Sequence, residues 1–280
     1  MTSTYLAGDS RINIHIEKGS LVVSNHDLME WVRRASESVT AYYGRYPVPS
    51  VLLRVVPSNG KGLRGGQTFG EPEGGFIRVQ VGSETTNADL ENDWLLTHEM
   101  VHLALPSVAD KHHWIEEGIA TYVEPIARVR AGHLDAHVMW YELMRDLPQG
   151  LPNPGDKGLD NTHTWGRTYW GGAMFCLFAD VEIRKETKGQ KGLQDALRAI
   201  VDAGGTIDTD WSISRAFDVG DKATGTKVLS QMYARWGGTP VTTDLDALWK
   251  ELGAKEGAHG VEFDAKAPLA GVREAITRAR

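Results

Sequence analysis

One five-residue stretch restricts this chain more than any other: His98-Glu99-Met100-Val101-His102. Residues four apart lie one turn apart on the same face of a helix, whereas a strand would hold them about 13 Å apart, so two imidazoles at this spacing can reach one metal ion if 98–102 is helical. The apolar flank Leu95, Leu96, Val101 and Leu103 is placed to bury such a helix, and Pro106 requires it to stop. Glu99, next to the first histidine, lies where a carboxylate can take the proton of a water attacking at the metal.

Composition narrows the donor set. The 280 residues hold ten histidines and one cysteine, Cys176. A single cysteine excludes an internal disulfide framework and any site built from several thiolates, so a metal here must use imidazole and carboxylate. Cys176 lies in an apolar run with no basic neighbour and reads as a core thiol. Thirty Lys and Arg against 37 Asp and Glu give a net charge of −7, with no basic excess to track a phosphate backbone, so nucleic acid is not expected as a partner. Hydrophobic residues at 41% and charged residues at 24% are globular proportions. No stretch approaches the roughly 18–20 apolar residues of a membrane span. Met1–Ser10 shows no signal-peptide pattern, and the compartment stays open.

Periodicity divides the chain. Strict alternation over 11–16 predicts a half-buried strand, with 20–23 pairing to it across Lys18-Gly19. A helix is expected over 28–43, a buried strand over 51–56, a glycine-rich loop over 59–75 and a strand over 76–81. Within that loop Gly60-Lys61-Gly62-Leu63-Arg64-Gly65 fits GxGxxG, but the next residues, Gly66 to Pro72, cannot open a helix, so nucleotide binding is not expected. Beyond residue 90 the pattern is helical: 95–103, a helix opening near His113 or Trp114, then 134–146, 168–186, 191–203, 224–235, 243–252 and 268–280. Strands first and helices after indicate an α+β fold. We expect a mixed α/β N-terminal lobe over 1–90, carrying a substrate-edge strand, and a mainly helical metal-binding lobe over 91–280. The two form one compact unit with a site in the cleft.

A catalytic zinc needs three protein ligands and one open position. Downstream, Trp114-Ile115-Glu116-Glu117-Gly118-Ile119-Ala120-Thr121-Tyr122-Val123-Glu124 offers glutamates on a second helix. Here the chain resembles the gluzincin clan of zinc metallopeptidases. The echo is strongest with the aminopeptidase N family, whose second zinc helix reads W-L-N-E-G-F-A-x-Y-x-x-E, and the glycyl aminopeptidase family is similar. The resemblance implies a thermolysin-like core, one Zn²⁺ per chain and a peptide or protein substrate. It makes Glu117, the glutamate followed by glycine, the third ligand beside His98 and His102. Fourteen residues separate His102 from Glu117, a shorter loop than that family usually has. Glu124 matches the second acidic position and is expected to orient a zinc ligand. Pro125 is expected to kink or break the helix there.

The run Trp165-Gly166-Arg167-Thr168-Tyr169-Trp170-Gly171-Gly172-Ala173 is similar to a later helix of the same families. That likeness makes Tyr169 the oxyanion donor, with Gly171 and Gly172 allowing close approach to the metal helix. The implied activity is zinc-dependent peptide-bond hydrolysis with Glu99 as general base. The alternative is a non-catalytic zinc protein that holds peptides on the same fold, which requires a fourth protein ligand such as His112 or His113. A hydrolase of another substrate class is a third reading. The G-x-M-E-N signature that captures a free N-terminus in the aminopeptidase N family has no match near Glu73-Gly74-Gly75-Phe76-Ile77-Arg78, leaving Glu71 or Glu73 as the substitutes to test.

Overall fold

A computed structural model describes residues 2–257 and 260–279. The chain opens with a two-residue hairpin, β1 (Thr2–Ala7) and β2 (Ser10–Ile16), turning at Gly8-Asp9 where Gly8 takes a φ of 63°. Helix α1 (Asn25–Tyr43) then crosses back to β3 (Ser50–Ser58), parallel to β2. Ser24 and Asp27 close a reciprocal capping box at its start, and Gly44 in the left-handed region ends it. Strands β4 (Leu63–Glu71) and β5 (Gly74–Gly82) complete a five-stranded sheet in the order β1-β2-β3-β5-β4.

One face of this sheet is core. Ile14 pairs with Leu53 and Leu53 with Ile77, and all three are buried. Each such side chain removed from water contributes about 1.5–3 kcal/mol, which fixes the register across the three strands. Leu28, Trp31, Val32, Ala35 and Val39 of α1 are buried in the same core.

The remainder is α2 (Asn87–Glu91), α3 (Leu95–His102), α4 (His113–Arg130), α5 (Ala136–Asp146), α6 (Gly172–Glu186), α7 (Leu193–Asp202), α8 (Ile213–Thr224), α9 (Val228–Trp236), α10 (Leu245–Leu252) and α11 (Ala270–Thr277). A second hairpin, β6 (Ala254–Gly257) and β7 (Gly260–Phe263), interrupts the helical half. Among the described residues no helix is long and apolar enough to cross a membrane.

Several expectations are corrected. Residues 20–23 form no strand; β2 pairs with β1 on one side and β3 on the other, so no free edge remains for them. The stretch 59–75 is not a loop throughout, since Leu63–Glu71 pairs antiparallel with β5. Its glycines hid the strand, because they remove the alternating side chains that mark one. As a result 76–81 lies inside the sheet and β4 is the open edge. The helix expected over 224–235 starts only at Val228, because Gly225 in the left-handed conformation ends α8 just before it, and α8 itself was not expected. Helix α4 does not break at Pro125 but continues to Arg130. The expected terminal helix ends at Thr277.

Candidate metal centre

The centre rests on α3, and α3 is anchored from outside itself. The Asp93 carboxylate accepts the Leu95 and Leu96 backbone N–H groups at 2.9 and 3.0 Å, satisfying donors that a helix start leaves open. It also accepts the Trp31 indole N–H at 2.8 Å, tying α3 to α1. Burial pushes the Asp93 carboxyl up, against those hydrogen bonds. Leu96, Met100 and Val101 fill the core side, which turns His98 and His102 to the other face.

Glu117 approaches from α4. Its Oε2 lies 3.2 Å from His98 Nε2 and 3.5 Å from His102 Nε2. One donor atom from each of the three residues falls within 4.8 Å of the others, the only such group among the described residues. Two imidazoles and a carboxylate converging in this way match the His₂Glu donor set of a catalytic zinc, which leaves a fourth position to water or substrate. Burial alone would raise the Glu117 carboxyl, yet its bonds to His102 and His98 hold it well below the usual carboxylate range. Burial opposes the charged form of His102, and the Glu117 carboxylate more than compensates, raising its pKa.

The two rival histidines part company. His112 Nδ1 lies 2.9 Å from Asp160 Oδ1, which also accepts the Trp114 indole N–H at 2.8 Å, so His112 pins the start of α4 and does not join the centre. His113 is half-exposed and lines the cleft, with Nε2 3.4 Å from Glu117 Oε1.

Glu99 sits under the edge strand. Thr68 Oγ1 on β4 donates to its Oε2 at 2.6 Å and reaches its backbone oxygen at 3.0 Å. Gly66, two residues earlier on the same face, leaves the room: a Cβ there would lie 2.3 Å from Glu99 Oε1. Tyr169 occupies a π-helical turn, Arg167–Gly171, just before α6. Such bulges recur at functional sites because they re-aim a side chain. Its ring stacks over His98 with centroids 6.4 Å apart. Burial first, then the charges of Glu117 and Glu99, push its hydroxyl up to about 12. Gly172 packs on Gly118, where a Cβ on either would meet the other's backbone. Gly171 instead faces Leu159 and Arg167.

Other expected residues lie elsewhere. Glu124 contacts no ligand; its carboxylate pairs with Arg128 at 2.9 Å, and burial pushes it up to about 7. The expectation that it orients a zinc ligand is therefore corrected: two helical turns from Glu117 it meets a nearer cation. Arg167 is buried against Asp156 at 2.7 Å, inside the fold. Cys176 is buried, and that burial raises its thiol pKa. Glu71 ends β4 and Glu73 forms the turn to β5 with a φ of 62°; neither lines the cleft.

His98, Glu99, His102, Glu117 and Tyr169 all line one cleft of about 650 Å³, walled by Gly66–Gly70 of β4. On the far side of His98 and Tyr169 a second cavity of about 430 Å³ opens between α4 and α5. Its mouth carries two half-exposed indoles, Trp94 against the edge of His98 and Trp165 stacked on Tyr169. Thr68 and Asp93 have no mark in the sequence that singles them out, because each acts through contact with a residue distant in the chain, and His113 stands out in it only as a candidate metal ligand.

Similar solved structures exist for this arrangement. An aminopeptidase N family protein from Idiomarina loihiensis superposes with a TM-score of 0.68 at 12% identity, covering 91% of this chain and 49% of that one. A mutant two-domain M1 zinc metallopeptidase bound to L-arginine gives 0.57 at 14%, covering 88% and 53%. The M1 zinc metallopeptidase of Deinococcus radiodurans gives 0.53 at 16%, covering 87% and 52%. The fold is similar to that of M1 zinc metallopeptidases. This chain spans about half the length of those neighbours. No protein-family model and no curated protein matches the sequence.

Proposed function

We propose that this protein hydrolyses peptide bonds with one zinc ion held by His98, His102 and Glu117. The observation that carries the reading is the convergence of these three donors, from α3 and α4, in the same cleft as Glu99 and Tyr169. Zinc bound there supplies Lewis-acid polarisation of a water and of the scissile carbonyl. Glu99 accepts the proton of the attacking water and returns it to the leaving amine; the Thr68 hydroxyl holds its carboxylate toward the cleft floor. Tyr169 donates its O–H to the developing oxyanion, and a pKa near 12 keeps that proton in place at neutral pH. The open edge of β4 is suited to an extended substrate adding as a further strand. The cavity beyond Tyr169, walled by Trp94, Met139, Trp165 and Trp170, receives a substrate side chain next to the scissile bond.

A non-catalytic platform would need a fourth protein ligand such as His112 or His113. His112 is held by Asp160 away from the centre. His113 lies against Glu117 Oε1, the oxygen that does not face His98 and His102. The test is hydrolysis of a mixed peptide library by zinc-loaded protein. Glu99→Gln should retain one zinc and lose about 10²–10⁴-fold in rate, the usual share of a general base. Protein that binds no zinc, or a Glu99→Gln variant that still turns over normally, would overturn the proposal.

A further inference from the structure

We propose that His113 is a positioning residue that sets which oxygen of Glu117 faces the metal; the inference rests on the zinc reading above. The Glu117 carboxylate is shared out between two sides. Oε2 faces His98 and His102 at 3.2 and 3.5 Å, while Oε1 lies 3.4 Å from His113 Nε2. The other ring nitrogen of His113, Nδ1, lies 2.8 Å from Glu116 Oε2. The second oxygen of Glu116, Oε1, accepts the Val108 backbone N–H at 3.1 Å. A continuous line of polar contacts therefore runs from the α3–α4 loop through Glu116 and His113 to the metal-facing glutamate.

Helical spacing makes this possible. His113 stands one turn before Glu117 and three residues before Glu116, so both carboxylates reach its ring from the same helix face. A ligating carboxylate without such a partner can rotate about its last torsion and present either oxygen, or both. Binding Oε1 leaves Oε2 as the single donor and preserves the open fourth position that hydrolysis requires. The ring itself is about half-exposed, so the packing of the fold does not account for its orientation. The contacts to Glu116 and Glu117 do.

The experiment measures zinc affinity by competition with a chromophoric chelator for wild type, His113→Ala and His113→Gln, with the visible spectrum of the cobalt-substituted proteins as a second readout. His113→Ala should weaken zinc binding about 10–100-fold, the usual cost of losing an outer-shell partner, and alter the cobalt spectrum. His113→Gln, whose amide N–H can still reach Oε1, should recover most of that affinity. Unfolding of the metal-free proteins should coincide, because an exposed ring is lost in each. Wild-type affinity in His113→Ala overturns the proposal, as does an equal loss in both variants, which assigns the effect to ring bulk. Failure of the zinc reading is separate and visible in the wild type alone, as an absence of zinc binding.

Discussion

Gly172→Ala tests the contact that joins the two halves of the centre. Gly172 begins α6 three residues after Tyr169, and it packs on Gly118, the residue after Glu117. An added Cβ would stand 2.2 Å from the Trp114 carbonyl oxygen and 2.7 Å from Gly118 Cα. Ordinary van der Waals contact begins near 3.4 Å, so α4 and α6 must separate by about 1 Å. Both intruded atoms are backbone, which cannot swing aside. Overpacking of this kind costs about 3 kcal/mol at the upper end of its usual range, and the better helix propensity of alanine returns about 1. A net loss of about 2 kcal/mol lowers the melting temperature by about 4–8 °C for a chain of this size. The same displacement moves the Tyr169 hydroxyl relative to Glu117, and a misplacement near 1 Å can cost about 10²-fold in kcat. Differential scanning calorimetry, zinc content and peptide turnover measure the three quantities. Gly271→Ala is the control: it lies on α11 with open space around its Cβ position, so the same substitution should be neutral or stabilising by up to about 1 kcal/mol. Gly172→Ala that melts with the wild type and turns over at its rate would refute the claim that this contact sets the site.

Tyr169→Phe should keep zinc and lower kcat about 10²–10³-fold, as removal of one oxyanion donor does; unchanged kcat would remove Tyr169 from the reaction. Thr68→Val removes the hydroxyl bound to Glu99 while keeping its shape, and loss of about 1.5–3 kcal/mol should lower kcat about 10–100-fold with zinc content unchanged. Glu124→Gln tests a stability contribution. The folded pKa of Glu124, about 7, lies above the ordinary 4.5 because burial opposes its charge; Arg128 offsets that in part, and Asp93 and Glu142 add to it. Folding is therefore favoured by this group below pH 4.5, and that advantage, up to about 3 kcal/mol, is lost as pH rises through 7. Urea midpoints at pH 4.5 and pH 8 should differ less in Glu124→Gln than in wild type, and an equal difference in both would reject the reading.

Where the sequence was legible, a side-chain period carried the information. The buried faces of β2 and α1 repeat at two and at three to four residues, and both elements stand where that period puts them. That His98, His102 and Glu117 come together was legible for a related reason: the two histidines are one helical turn apart, and Glu117 sits in a motif of its own. Strand β4 was not legible, because Gly65, Gly66 and Gly70 leave no alternation to read. Once β4 is seen as a strand, β5 moves to the interior and the open edge passes to the residues walling the cleft. Glu124 misled through the opposite fault. Its spacing from Glu117 was right for a shared helix face, but spacing along one helix does not report Arg128, four residues on, which takes the carboxylate first.

The chemistry of the site is consequently encoded in two kinds of residue. Charged and aromatic side chains supply donors and acceptors, and their types are visible in the sequence. Their separations are set by residues with no side chain at the contact. Gly66 lets the edge strand descend onto Glu99, Gly172 and Gly118 let the Tyr169 helix close on the Glu117 helix, and Gly75 admits Leu103 at the end of α3 to within 2.4 Å of where its Cβ would stand. Each of these contacts lies at, or within three residues of, a group to which the proposed hydrolysis gives a role. Methyl groups added at these glycines should therefore reduce turnover more than their cost in stability predicts, because they displace catalytic atoms by distances over which hydrogen bonds and proton transfers fail while the fold absorbs the same shift.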